Sequence, residues 1–127
     1  MATATSSRQV MEELDEFVEG IIINLTTNFT LDVSEATPKL TGYAASHWIP
    51  SLHAAVEGTY GPRVEGGISE ASKLRGLADV EANYQLPDRV YITNPVDYIT
   101  DLNMGTSGKA PAGFVQTSIA LAIRSTL

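Results

Sequence analysis

The sequence predicts an α+β domain with a long N-terminal helix, a small, mostly antiparallel sheet, a middle helix and a C-terminal helix pair. Three patterns support this fold class. Apolar residues recur at spacings of three and four over 7–28, apolar and polar residues alternate over 89–93, and helix start and stop signals are concentrated in 94–114. The resulting order of helix, strand, helix, strand and two helices is typical of an α+β domain.

The first helix is expected over Ser7–Asn28, with Ser7 as its N-cap. Its apolar stripe and its acidic residues lie on different faces. Gly20 costs such a helix about 1 kcal/mol relative to alanine, which suggests a close packing contact there. The stripe widens near Ile21–Ile23, either as ordinary core or as a seam against another subunit. The stripe consists of Val10, Leu14, Phe17, Val18, Ile21 and Leu25.

The middle of the chain is predicted as a turn, an edge strand, a loop and a helix. After irregular residues 29–40, Thr41 and Gly42 form the turn. The strand over 44–55 carries Trp48 as a core anchor and Pro50, which suits a sheet edge because proline lacks a ladder donor. Residues 57–67 are rich in glycine and proline and are predicted to be a mobile hairpin or loop. The helix over 68–85 is expected to bury Leu74, Leu77, Ala78 and Tyr84.

The corner segment, 94–114, connects the second strand to the end of the chain. Asn94 is expected to cap a helix that starts at Pro95, carries Asp97 in its first turn and ends at Gly105, a left-handed stop. A loop containing Thr106 and Ser107 follows. Pro111 then opens a last helix that passes Gly113 and Phe114 and runs to about Ser125. Its buried side is expected to carry Val115, Ile119, Ala122 and Ile123, and its other face is also weakly polar, so we expect partners on both faces, from its own sheet or a neighbouring subunit.

The length of the chain predicts a single domain over 1–127. A chain of 127 residues buries roughly two-thirds of the surface that its unfolded form exposes. The absence of cysteine excludes disulfides and thiolate metal sites, and favours an intracellular or virion protein over a small secreted one. Residues 1–7 are small and polar; we predict a flexible tail without a secretory signal. No early apolar run is long enough to cross a membrane.

Negative charge is concentrated near the N-terminus. The net charge is −7, and seven acids against one base lie within 1–37. Such a surface repels phosphate, so sequence-specific DNA binding is excluded. The cluster is either a solvated helix face or a surface that lines a path for DNA or keeps subunits soluble. The five acids within the first helix that could line such a path are Glu12, Glu13, Asp15, Glu16 and Glu19.

No catalytic site, metal site or cofactor-binding site is predicted, and an enzyme is not expected. The stretch Gly105–Lys109 lacks the glycine spacing of a phosphate-binding loop, and Ala110 stands where the magnesium ligand would be. Ser107 has no nucleophile elbow around it. His47 and His53 are the only histidines, and no third metal ligand accompanies them.

Several short motifs in a fixed order resemble one family. With Trp48 placed after the Thr41-Gly42 turn, the chain is similar to the neck, or head–tail connector, proteins of tailed bacteriophages, also called minor tail or tail-completion proteins. The similarity covers about residues 8–124. Its other motifs are Tyr91-Ile92-Thr93-Asn94-Pro95-Val96-Asp97-Tyr98, Met104-Gly105-Thr106-Ser107 and Ala110-Pro111-Ala112-Gly113-Phe114-Val115.

The resemblance implies a structural virion protein. Copies would form a six- or twelve-fold ring that joins the portal complex to the tail and leaves a channel for DNA. The charge pattern agrees with this, because an acidic first helix suits a channel wall past which DNA slides. The implied neighbours are head-closure proteins and tail terminator or tube proteins. The implied location is the virion neck, and the host cytoplasm during assembly. Two positions depart from the family pattern, which often has acids where this chain has Leu40 and Asn103.

Two other functions stay open. A tail terminator or tail-completion protein would cap the tail tube and would differ from a neck protein in its neighbours rather than its chemistry. A small cellular binding module belongs to a different class, and a stable monomer with a closed, ligand-sized apolar pocket would favour it.

Overall fold

The computed structural model describes residues 6–39, 41–105 and 112–127. It confirms the predicted α+β fold class. The two strands pair antiparallel, with Ile49 opposite Thr93 and Leu52 opposite Val90. Leu40, Thr106, Ser107, Pro111 and most of the predicted tail lie outside the described residues. The elements are α1 (Ser7–Ala36), α2 (Tyr43–Ser46), β1 (Ile49–Leu52), α3 (Gly67–Asn83), β2 (Val90–Thr93), α4 (Ile99–Asn103) and α5 (Phe114–Thr126).

Helix α1 is longer than predicted at its C-terminal end. Its N-cap is Ser6 rather than Ser7: the Ser6 hydroxyl accepts from the Gln9 amide at 3.2 Å, and the Gln9 side chain accepts from the Ser6 amide at 3.1 Å. The predicted end at Asn28 is wrong because Val33, one turn past Phe29, is also buried in the core. The helix ends where the Thr37 amide bonds to the Val33 carbonyl.

The predicted strand over 44–55 is correct only in its centre. The preceding residues form α2, because Gly42 adopts φ +82° and its carbonyl accepts from the Ser46 amide at 3.0 Å. Thr41 supports this turn, since its hydroxyl accepts from the Tyr43 amide. Pro50 lies in β1 opposite Ile92, and the two-stranded sheet leaves it at an edge, as expected.

Helix α3 has nearly the predicted bounds but buries a different face. Leu74 is 55% exposed, whereas Ser69, Lys73 and Val80 are buried. The Lys73 ammonium donates to the Ala45 carbonyl at 3.3 Å and pairs with Glu70 at 3.0 Å, which compensates the cost of its burial. Small residues face β1 here because helix and strand approach closely. Of the four residues predicted to be buried, only Tyr84, at the end of the helix, is buried.

Two hydrophobic clusters lie in the core, and α4 connects them. One contains Val33, Trp48 and Phe114, and the other contains Tyr43, Ala44 and Val96. The side chains of Ile99 and Leu102 pack against both clusters. Trp48 is the predicted core anchor: it is 6% exposed, and its ring meets that of Phe29 edge-on at 6.3 Å between centroids.

Helix α5 packs against α1 through small side chains. Its buried residues are Phe114, Ser118 and Ala122, and α1 is the element against which it packs. The predicted buried side is therefore only half correct, since Ile119 and Ile123 are 43% and 42% exposed. Small residues let two helices approach closely, and the larger isoleucines lie outside this contact.

Candidate functional site

The Asn-Pro motif at the start of the corner segment connects two elements instead of opening a helix. The Asn94 side chain accepts from the Val96 amide at 3.1 Å and donates to the Ala44 carbonyl at 2.8 Å. Helix α4 begins only at Ile99, so the predicted start at Pro95 is wrong. An asparagine whose side chain forms a local turn competes with a helix start at the same residues. The motif therefore positions β2 against α2.

Asn103 fastens α4 to the beginning of α5. Gly105 has φ +87°, as expected of a left-handed stop. The Asn103 carbonyl accepts from the Gly113 amide at 2.7 Å, and its side-chain oxygen accepts from the Val115 amide at 3.0 Å. Gly113 has φ +80° and precedes Phe114, where α5 begins. The predicted helix start at Pro111 lies outside the described residues. The N-cap residue of α5, Gly113, has no side chain that could cap the helix. The side chain of Asn103, which lies outside α5, caps it instead.

Removing the Asn103 side chain tests whether it caps α5 and thereby stabilises the corner segment. We expect Asn103→Ala to lower the free energy of unfolding by about 1 kcal/mol, because the Val115 amide loses its acceptor. Asn103→Asp keeps an acceptor oxygen beside a helix N-terminus and should stay within about 0.5 kcal/mol of the parent. Urea denaturation of the three proteins measures both values. Equal losses in the two variants would contradict a capping role.

The loop over 53–66 is attached to the corner by Arg63. Its guanidinium pairs with Asp97 at 2.5 Å and lies 5.9 Å from the centre of the Tyr98 ring. The hydrogen bond to Asp97 raises the pKa of Arg63, and burial raises the pKa of Tyr98. Asp97 therefore serves as the partner of this loop and not, as predicted, as the acid of a first helical turn. The Thr41 hydroxyl also donates to the Arg63 carbonyl at 3.4 Å.

His47 holds the same loop from the interior. It is fully buried, its Nδ1 donates to the Tyr43 carbonyl at 2.6 Å, and its Nε2 accepts from the Tyr60 amide at 2.9 Å. These partners require the neutral Nδ1-protonated ring. Burial lowers the pKa of His47, and the nearby positive charge of Lys73 lowers it further, while the Tyr43 carbonyl opposes the shift. The other histidine, His53, is exposed and follows β1 with φ 69°, so it takes no part in holding the loop.

This arrangement predicts a pH dependence of stability. Folding lowers the pKa of His47 below 6.5. Its contribution to the free energy of unfolding is therefore complete above about pH 6.5, and it is lost as the pH falls from there toward the pKa of His47 in the folded protein. Urea denaturation at intervals between pH 7.5 and 5 should show this decline. The decline should flatten in His47→Gln and persist in His53→Gln. An equal slope in both variants would assign it to other groups.

The acidic residues of α1 divide into two kinds. Glu12, Glu13, Asp15 and Glu16 are exposed, and Glu12 forms an exposed pair with Arg8 at 3.3 Å. Glu19 is half-buried, and its carboxylate accepts from the Leu86 amide at 2.9 Å. Of the five acids predicted to face a channel, Glu19 thus has a separate structural contact with the segment between α3 and β2.

An apolar groove lies between α1, β2 and α5. Its volume is about 380 Å³, and Asp88 is its one charged lining residue among the described residues. The groove opens to solvent at Ile119 and Ile123. Sequence reasoning missed it because its walls come from three distant segments; the widened stripe near Ile21–Ile23 was the available signal. The apolar lining residues are Ile22, Leu25, Phe29, Val90, Ile92, Ile119 and Ile123.

The α1 stripe continues from the groove onto an exposed surface. All side chains over 7–18, which we name the exposed segment, are exposed. Four of them are large and apolar: Val10 (44% exposed), Leu14 (51%), Phe17 (67%) and Val18 (38%). Contiguous exposed apolar surface of this kind marks interaction sites. The candidate functional site is therefore a binding surface formed by the exposed segment and the groove.

Within the described ranges, no group of three or more histidine, cysteine, aspartate or glutamate residues could hold a metal ion. None of the helices in that part of the chain combines the length and apolarity needed to cross a lipid bilayer. Comparisons with protein-family models, curated proteins and solved structures find no match to this chain.

Proposed function

We propose that this protein is a structural virion component that forms an oligomeric ring in the neck of a tailed bacteriophage. The ring joins the portal complex to the tail and leaves a channel for DNA. The proposal starts from the ordered motifs that resemble neck proteins, from the Thr41-Gly42 turn to Phe114. The observation that carries it further is the exposed apolar stripe on α1, which a monomer leaves in water.

The corner supports the same proposal. The bonds of Asn94 and Asn103 set the direction in which α5 leaves the sheet. Arg63 and His47 hold the long loop against the corner from two sides. Subunits of a closed ring must repeat one interface at one angle, so a rigid connection between binding surfaces suits a ring.

The acids suit the same role. Four exposed carboxylates on one end of α1 repel DNA phosphate, which favours passage of DNA over binding. The proposed partners are further copies of this chain, the head-closure protein on one side and the tail terminator or tube protein on the other. The proposed location is the virion neck.

Cryo-electron microscopy of purified virions tests this function. The expected result is a ring of copies of this chain between the portal complex and the tail tube, with the acids of α1 toward the channel. A ring on the tube side of the neck would support the alternative role of tail terminator. Absence of the chain from the particle would overturn both.

The groove gives a specific reason to keep the small binding module as a second candidate. A volume of about 380 Å³ falls at the lower end of the range of ligand pockets. A ligand of that size would be largely apolar, with Asp88 as its charged contact. This candidate requires a monomer, so a monomeric mass in analytical ultracentrifugation at high protein concentration would favour it over the ring.

A further inference from the structure

The loop over 53–66 contributes no buried residue to the fold. Only Val56 and Gly66 are partly buried in it, and its other residues are exposed. Neither hydrophobic cluster of the core contains a residue of this loop. A segment with few buried apolar contacts opens at a lower free-energy cost than the core does. The loop can therefore leave its place while the rest of the chain stays folded.

Near the two ends of the loop, the contacts with the rest of the fold are weak. The Val56 amide donates to the Thr93 hydroxyl at 3.2 Å. Arg63 pairs with Asp97, but the two side chains are 60% and 71% exposed, so water and salt weaken their attraction. These contacts alone hold the loop only loosely.

His47 holds the middle of the loop from the interior. Its Nε2 accepts from the Tyr60 amide at 2.9 Å, and its ring contacts those of Tyr43 and Tyr60 at centroid distances of 4.3 and 6.3 Å. Histidine ordinarily changes its charge between pH 5 and 8, and only the neutral ring has a nitrogen that can accept a hydrogen bond. The bond to Tyr60 therefore exists only while His47 is neutral.

A protonated His47 does not fit the closed loop. A proton on Nε2 would point at the Tyr60 N–H, so that two donors would face each other. The titratable groups around the ring are Tyr43 of α2, Tyr60 of the loop and Lys73 of α3, whose ammonium pairs with Glu70 at 3.0 Å. Burial and the positive charge of Lys73 both lower the pKa of His47. Opening of the loop lets water reach the imidazolium and relieves part of this cost.

We propose that the loop over 53–66 is a strap that opens when His47 is protonated, while the two strands and both core clusters stay folded. The proton taken up at Nε2 breaks the bond to the Tyr60 amide, and the remaining contacts of Val56 and Arg63 do not keep the loop in place. Opening uncovers the His47 ring and the Tyr43 ring beside it. The inference requires neither a ring nor a partner, and it differs from a loss of overall stability because the opening is local.

Hydrogen exchange at the Tyr60 amide, followed by NMR in the full-length protein, tests this opening. The protection factor compares its exchange rate with that of an unstructured peptide at the same pH. Because opening takes up one proton, we expect the protection to fall by up to about tenfold per pH unit between pH 6.5 and 5. Urea below the unfolding transition should not change it, since a local opening exposes little surface.

The Val33 amide is the reference for the core, because Val33 is fully buried within α1. We expect it to be better protected than the Tyr60 amide, and its protection should fall with urea. Equal protection of the two amides, with the same dependence on urea, would mean that the loop leaves only when the whole chain unfolds. That result would overturn the proposal.

Two variants assign the pH dependence to one histidine. His47→Gln keeps an acceptor oxygen but binds no proton in this range, so the protection of the Tyr60 amide should become independent of pH. His53→Gln is the matched control, because His53 is exposed and lies in the same loop, and it should keep the parent slope. A slope that survives in His47→Gln overturns the proposal.

A titration of the parent protein keeps the proposal testable even if His47→Gln does not fold. The nitrogen chemical shifts of the His47 ring distinguish the neutral ring from the imidazolium. We expect the Tyr60 amide signal to move with the same midpoint pH as the ring, while the Val33 amide signal stays in place. A Tyr60 signal that keeps its position while His47 becomes charged would show that protonation does not open the loop.

Discussion

Replacing Trp48 by alanine is expected to lower the free energy of unfolding by about 4 kcal/mol, more than any other single substitution proposed for this chain. Trp48 is 6% exposed and belongs to the cluster that joins α1 to α5 through Val33 and Phe114. Alanine would leave a cavity between elements that are far apart in the chain and cannot close over it.

A second pair of variants isolates the hydrogen bond of the indole. Its Nε1 donates to the Thr37 hydroxyl at 2.8 Å, and that hydroxyl donates to the Val33 carbonyl at 2.6 Å. Thr37→Val would leave the indole N–H buried without an acceptor, at a cost of about 1–3 kcal/mol. In a cycle with Trp48→Phe, the coupling between the two sites should be about 1 kcal/mol.

Urea denaturation of the full chain measures these free energies. Leu74→Ala is the control for loss of a large side chain, because Leu74 is 55% exposed and should cost less than about 0.5 kcal/mol. A Trp48→Ala protein no less stable than Leu74→Ala would show that the core does not depend on this cluster.

Gly76→Ala and Gly20→Ala are expected to change stability in opposite directions. In α3, a Cβ at Gly76 would collide with the Pro50 carbonyl oxygen and lie 3.2 Å from the Pro50 Cδ. The backbone of β1 cannot yield as a flexible side chain would, so we expect a loss of about 2 kcal/mol despite the gain in helix propensity. At Gly20 in α1 nothing lies within 4 Å of a Cβ, and alanine should stabilise the protein by about 1 kcal/mol.

The pair also corrects an expectation from the sequence. The close packing contact suggested for Gly20 is not found there, whereas Gly76 permits a close approach of α3 to β1. Thermal and urea denaturation of both variants provide the measurement. Stabilisation of the protein by Gly76→Ala would mean that α3 and β1 are further apart than the structure places them.

Local sequence patterns were sufficient to predict those elements that depend only on residues close together in the chain. Alternation identified β2 within one residue, the glycine and proline content identified the loop before α3, and Gly105 was recognised as a left-handed stop. The exposed acids of α1 were also identified, because charged side chains are almost never buried without a partner.

Packing decided which face of each helix is buried. Apolar periodicity predicted Ile119 and Ile123 in the interior of α5, yet Ser118 and Ala122 are there. In α3 the same reasoning favoured Leu74 over Ser69. Both errors have one cause: where two elements approach closely, small residues fill the contact, and a hydrophobicity pattern cannot report a distance between elements.

The sequence by itself determined the α+β class, the acidic N-terminal helix and Trp48 as a core residue, because these depend on composition and on spacings within single elements. Only the tertiary structure decided that Asn94 and Asn103 fasten the corner, that His47 holds the loop and that an apolar groove faces solvent. Each of these depends on groups separated by many residues, such as Asn94 with Ala44 or His47 with Tyr60. Their meeting follows from how the elements pack, which no local spacing records.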